Sequence, residues 1–221
     1  MNQARTPSRR RRRKRPLIGL LGGSFNPAHD GHRHISLLAI HLLGLDQVWW
    51  LVSPQNPLKP SRGMAPFAQR LAMAAKVAHH PRIKASDFEA RLGSIYTADT
   101  LFQLKRRYPR RSFVWIMGAD NLLQIPRWRR WTRIFNTMPV AIFARAPYSN
   151  RALAGLAARR FWRSRVDARH ARRLTARPLP AWVFLHTSLS PESATAIRRA
   201  RSQAGMRTVR QPGSGARGLT A

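Results

Sequence analysis

The sequence predicts an α/β fold, a Rossmann-like, doubly wound parallel sheet in a single domain over residues 16–205, with basic disordered tails at residues 1–15 and 206–221. Three observations predict it. Short apolar runs alternate with amphipathic runs of helical period, the pattern of strands covered by crossover helices on both faces. The first apolar run stops at two glycines and leads through a turn into a helix start. The Arg-rich ends have no apolar face with which to pack, whereas the stretch between them is rich in apolar residues.

The elements follow in order. Residues 16–22 read as a buried strand, and residues 30–43 as a helix with Ile35, Leu38, Ala39, Leu42 and Leu43 on one face. "VWWLVS", residues 48–53, is a second strand, and residues 64–78 a second helix. "RIKAS" is a short strand. "TADTLFQLKRRY" reads as a helix capped by Thr97, with Asp99 in its first turn. "SFVWIMG", "PVAIFAR" and "WVFLHT" are further strands, the last followed by a helix at "SATAIRRARS". Residues 149–180 are Arg-rich and helical in part, and no elements are placed there.

Composition limits the chemistry. The chain has no cysteine, which excludes disulfides, thiolate catalysis and cysteine-ligated zinc. No apolar run approaches the length of a membrane span, and "LIGLL" is too short for a signal-peptide core. The expected location is the cytoplasm. With 41 Lys+Arg against 8 Asp+Glu, the formal charge is +33. Such a chain attracts polyanions. The basic residues are scattered, which favours solvated faces over a dedicated nucleic-acid surface; contact with nucleic acid through the tails is compatible with the sequence but is not the expected function.

In a doubly wound sheet the ligand lies beyond the carboxyl ends of the strands. After the first strand comes "GGSFNPAHDGH". It is neither a Walker A loop nor G-x-G-x-x-G. Gly22 and Gly23 let a ligand approach the backbone, Asn26-Pro27 turns the chain, and the helix from Asp30 aims free N–H groups at an anion. His29 and His32, three apart at that helix start, can face the same phosphate, or cap the helix. H-x-x-H lacks the spacing of zinc proteases and no carboxylates support it, so no metal site is assigned. His34 and the pair His79-His80 read as surface residues. After the last strand, Ser193, Thr195 and Arg198 in "SATAIR" describe a second phosphate grip, or an ordinary capped helix.

With both motifs in view, the chain resembles the nucleotidylyltransferase superfamily, and in particular the bacterial nicotinate-nucleotide adenylyltransferases. "GGSFNPAHDGH" is similar to that family's G-x-F-x-P-x-H-x-G-H signature, and "SATAIR" to its S-[ST]-T-x-I-R signature. The resemblance spans residues 17–205. It implies catalytic roles for His29 and His32, and ATP binding by Gly22, Gly23, Ser24, Phe25, Ser193, Thr195 and Arg198. It further implies substrate binding by Lys59 in "LVSPQNPLKP", Tyr96 and Thr97 in "SIYTADTL", Asp120 and Trp128 in "IMGADNLLQIPRWRRW", and Arg145 in "FARAPYS". Trp128 stacks on a pyridine ring or packs in the core beside Trp131, three residues on along one helix. Asp120 contacts ligand or caps a helix. Leu58 and Glu192 depart from the family pattern, which has a polar residue before the lysine and Ile before the second motif.

The implied reaction transfers AMP from ATP to nicotinate mononucleotide, giving nicotinate adenine dinucleotide and pyrophosphate, with Mg²⁺ carried by the ATP phosphates. The alternatives are a sister enzyme acting on nicotinamide mononucleotide or phosphopantetheine, or a non-catalytic basic nucleic-acid-binding protein on the same scaffold. The oligomeric state is not legible.

Overall fold

A computed structural model of the chain describes residues 15–55 and 63–187. The tails, Lys59, Ser193, Thr195, Arg198 and the helix expected at residues 193–202 lie outside these residues. Leu58 and Glu192 lie outside them too.

Among the described residues seven strands make one sheet, in the order β3-β2-β1-β4-β5-β7-β6. The strands are β1 (Leu17–Gly23), β2 (Gln47–Val52), β3 (Ile83–Ser86), β4 (Ser112–Gly118), β5 (Val140–Phe143), β6 (Arg165–Val166) and β7 (Trp182–Leu185). Every pairing is parallel. The chain runs outward from β1 to β2 and β3, then crosses back to lay β4 on the other side of β1. β1 and β4 therefore bracket the switch point, where the loops that follow them part and leave a crevice.

The period of two along each strand feeds two cores. Ile18, Leu20, Phe113, Trp115, Val140, Ile142, Trp182 and Phe184 pack on one face. They are covered by α4 (Thr97–Arg107), α5 (Ala119–Gln124), α6 (Trp131–Thr137), α7 (Ser149–Leu153) and α8 (Leu156–Arg160). Leu21, Val114, Ile116, Ala141, Phe143 and Val183 face the other way, against α1 (Asp30–Leu43), α2 (Phe67–Ala78) and a 3₁₀ helix at Ala168–Ala176. Burial on both faces is why these strands read as unbroken apolar runs rather than alternating ones.

α1 has the expected bounds. Gly44 ends it in the left-handed region at φ 67°, its N–H bonded to Ile40 O, a conformation glycine adopts without strain. Its buried face is rotated from the expected one, comprising Gly31, Ser36, Ala39, Ile40 and Leu43. Ser36 explains the rotation. Its hydroxyl donates to His32 O at 2.8 Å and accepts the Trp50 indole N–H at 2.8 Å, so a polar residue is satisfied in the core.

Several expectations need correction. Thr97 does not cap α4; Tyr96 occupies that position, and Thr97 is the first helical residue. Trp128 and Trp131 do not share a helix: Trp128 is extended after a 3₁₀ turn at Ile125–Arg127, and Trp131 opens α6. Residues 149–180 contain α7, α8, two 3₁₀ helices and β6, each too short to show a period, save the Arg-rich 3₁₀ helix before β7. The helix α3 (Phe88–Leu92), between β3 and α4, was not expected either.

Candidate active site

The loop after β1 is shaped by its neighbours more than by its glycines' freedom. A side chain at Gly22 would collide with the Trp115 indole at 2.3 Å, so core packing by itself requires a glycine there. Phe25 has φ 46°, a strained value for a bulky residue, and is 2% exposed. Its ring stacks on Trp50 at 5.0 Å and lies 4.8 Å from His32. The Phe25 side chain therefore braces the loop from within.

His29 is the N-cap of α1 and His32 stands three residues on, with ring centroids 3.9 Å apart. The His29 backbone N–H donates to His32 Nδ1 at 3.3 Å. An Nδ1 that accepts leaves the proton of a neutral imidazole on Nε2. His29 is buried, and its pKa falls from 6.5 to about 4, chiefly because burial disfavours its charge. The positive Arg145 lowers it further, while Asp30 opposes both. The His29 side chain faces the His32 backbone N–H, the other half of a capping box between the two residues, and its buried Nδ1 makes no close hydrogen bond in the protein. A buried orphan at a helix start, beside a cation, is the arrangement that an anionic oxygen would complete.

Across the switch point, Asp120 sits in the first turn of α5, which Gly118 caps, so Asp120 is not the N-cap. It pairs with Arg145, beyond β5, at 3.2 Å. Asp120 Oδ1 is buried without a partner. The ends of β1, β4 and β5 thus bring His29, His32, Asp120 and Arg145 to one edge of the sheet.

A second group gathers beside them. The Tyr96 ring, at the start of α4, lies 4.6 Å beneath the Arg129 guanidinium, and Asp99 pairs with Arg130 at 3.5 Å. These contacts hold the first turn of α4 against the segment that carries Trp128. Trp128 is half-buried and packs on the core with one face. Trp131 is half-buried too and packs against the same core, edge-on to Phe135 and Phe161. His79 is exposed, and His80 Nδ1 accepts the Arg82 backbone N–H. His34 is half-buried rather than fully exposed.

Two charged residues of this region were missed in the sequence. Arg70, on α2, is only 3% exposed. Its guanidinium donates to Ser24 O and Ser53 O at 2.7 Å each, to Pro54 O at 2.7 Å and to Ala65 O at 2.9 Å. It ties the loop after β1 to the loop after β2. Burial pulls its pKa below the ordinary arginine value. Glu89, on α3, is also buried. Its pKa rises to about 7, again chiefly through burial, against smaller opposing effects of hydrogen bonds with Ser53 and Thr100. The available signal was position: Arg70 falls in register with the buried Ala74 and Ala78, four and eight residues on.

Polar groups collected at the carboxyl edge of an all-parallel sheet, around a helix start, define the nucleotide-handling class of α/β proteins. The chain belongs to the cytidylyltransferase-like family, whose sequence model matches residues 20–200, and to the family of the relatives named "Probable nicotinate-nucleotide adenylyltransferase". It is 52% identical over 181 residues to the one from Parvibaculum lavamentivorans, covering 82% of this chain and 90% of that protein. It is 53% identical over 182 residues to the one from Cereibacter sphaeroides, covering 82% and 96%. Among solved structures, the Plasmodium falciparum nicotinic acid mononucleotide adenylyltransferase complexed with NaAD aligns with a TM-score of 0.62 at 18% identity over 83% of each chain, a likeness of fold.

Proposed function

We propose that the protein transfers AMP from ATP to nicotinate mononucleotide, forming nicotinate adenine dinucleotide and pyrophosphate in the biosynthesis of NAD. The observation that carries this reading is the histidine pair at the start of α1, His29 buried and His32 half-buried, set on the switch point of the sheet in a chain 52% identical to a relative of that name. The acceptor phosphate is already an anionic nucleophile. Its oxygen forms a bond to the α-phosphorus as the bond to pyrophosphate breaks, so the protein need only align the two and stabilise the charge.

In this reading His32 donates its Nε2–H to an oxygen of the reacting phosphate. His29 is kept neutral by burial and completes its orphaned nitrogen with another. Asp120 Oδ1 accepts from a hydroxyl of the nucleotide, and Arg145 balances phosphate charge nearby. Tyr96, Thr97, Trp128 and Lys59 serve the acceptor. Gly22, Gly23, Ser24 and Phe25 shape the loop on the ATP side, and Ser193, Thr195 and Arg198 serve the leaving pyrophosphate. ATP brings Mg²⁺ on its own phosphates, where the ion neutralises part of their charge.

No described helix is long and apolar enough to cross a membrane. We place the reaction in the cytoplasm, where its nucleotide substrates are. The test is pyrophosphate release from ATP with nicotinate mononucleotide, nicotinamide mononucleotide or phosphopantetheine as acceptor. Nicotinate mononucleotide should give the highest kcat/KM. A preference for either of the others would reassign the substrate.

A further inference from the structure

We propose that the corner made by α8 and the 3₁₀ turn Trp162–Ser164 is a docking site for single-stranded nucleic acid, with Trp162 as the platform for a base and Arg159, Arg160 and Arg163 as partners of the phosphates beside it. The inference is independent of AMP transfer. The corner leads into β6, the edge strand of the sheet, away from the switch point between β1 and β4. What marks it is apolar surface left open among cations. Trp162 is 65% exposed and Leu156 56%. Tryptophan is mostly buried in folded proteins, and two large apolar side chains in the open so close together are the mark of an interaction surface. Ala157, Ala158 and Phe161 turn inward, so Leu156, Arg159 and Arg160, three and four residues apart, share the outer face of α8. Trp162 is held where it stands. Phe161 stacks on Phe135 at 4.4 Å, and its carbonyl accepts the Trp182 indole N–H at 2.8 Å and the Ser164 N–H at 2.9 Å. A platform fixed beforehand loses little freedom on binding.

The charge around the ring selects the partner. Within residues 149–180 the one acid is Asp167, and Arg169 pairs with it at 3.2 Å. Arg159, Arg160 and Arg163 are exposed and join no ion pair among the described residues. The Arg163 guanidinium lies over the Trp162 ring, 5.1 Å from its centroid. The cation takes one face of the ring and leaves the opposite face to a base. Stacking on an aromatic side chain asks only for a π-face, which every base has, and guanidinium groups match the phosphates between bases. A lipid surface fits less well, because a guanidinium held against the indole would have to enter the apolar layer with it. A second copy of this chain would bring the same unpaired cations face to face.

The test measures Kd by fluorescence anisotropy for a labelled single-stranded RNA of mixed sequence, about 12 nucleotides long, within the span one such groove covers. The full chain is compared with Trp162→Ala, Trp162→Phe and the double variant Arg159→Gln/Arg160→Gln, between about 50 mM and about 200 mM salt. The basic tails add to binding in all four proteins and cancel in the comparison. Trp162→Ala should weaken binding about tenfold or more with the salt dependence unchanged, and Trp162→Phe should recover most of that loss. The double variant should make the slope of log K against log salt shallower by about 1.4, as the loss of two phosphate contacts to a single strand requires. AMP transfer should be unchanged throughout, which also shows the variants folded. Wild-type affinity in Trp162→Ala overturns the inference, leaving the arginines as a solvated face. An equal loss for the same RNA in duplex form, where bases cannot stack on the ring, overturns it too. So does Trp162-dependent binding to vesicles of phosphatidylglycerol and phosphatidylcholine without Trp162-dependent binding to RNA, or Trp162-dependent dimerisation in sedimentation.

Discussion

His29 shows how burial decides a side chain's role. Between its unfolded pKa of 6.5 and its folded value of about 4, the unfolded chain binds more protons than the native one. The stability that His29 contributes is thus present above pH 6.5 and is lost as pH falls toward 4. A polyphosphate bound at α1 favours the charged form and moves the pKa back up. In NMR spectra of the free protein the His29 Cε1–H signal should titrate near pH 4, and saturating ATP should raise that midpoint by about one unit or more. A free-protein midpoint near 6.5, or no response to ATP, would remove the buried neutral imidazole from the account. The histidines were legible because three-residue spacing at a helix start is a local pattern. The reason for Gly22 was not, since the Trp115 ring that fills its space comes from a strand far along the chain. Nor did sequence reveal that Phe25 points inward.

At the scale of elements, Arg70 joins α2 to two loops that carry proposed ligand contacts. Removing its guanidinium leaves four carbonyl acceptors with a lost donor in a largely buried setting. Arg70→Ala should lower unfolding stability by roughly 3 kcal/mol and kcat/KM for both substrates together. Arg70→Lys, with a single ammonium in place of a fork, should fall between. Denaturant melts with steady-state kinetics check this, and a variant with wild-type stability would show the clamp to be idle. Strand and long-helix positions were readable because their periods repeat. What failed to read was short or capped by backbone alone. β6 is two residues, α7 and α8 five each, and Tyr96 starts α4 with no side-chain cap. Arg70 and Glu89 were hidden for another reason. Their partners are backbone carbonyls and hydroxyls of other elements, which leave no mark in a pattern of apolar residues.

At the scale of the molecule, a formal charge of +33 sets a field that draws in ATP. KM for ATP should rise with salt. Deleting residues 1–15 should leave it within about twofold of wild type at about 0.1 M salt, where charges are screened over about 10 Å. A large rise in KM on deletion would give the tail a part in binding. The parallel sheet and its switch point were legible from alternation alone, because covered strands must be apolar throughout. The central claim is that AMP passes directly to a mononucleotide phosphate beside the histidine pair, and it is tested most directly by following label from ATP labelled at the α-phosphate. With nicotinate mononucleotide as acceptor, wild type should place the label in the dinucleotide and release unlabelled pyrophosphate. His32→Ala, still folded, should do so slower by a factor on the order of 10²–10³. Label that stays out of the dinucleotide, or a His32→Ala rate within a few-fold of wild type, would contradict the assignment.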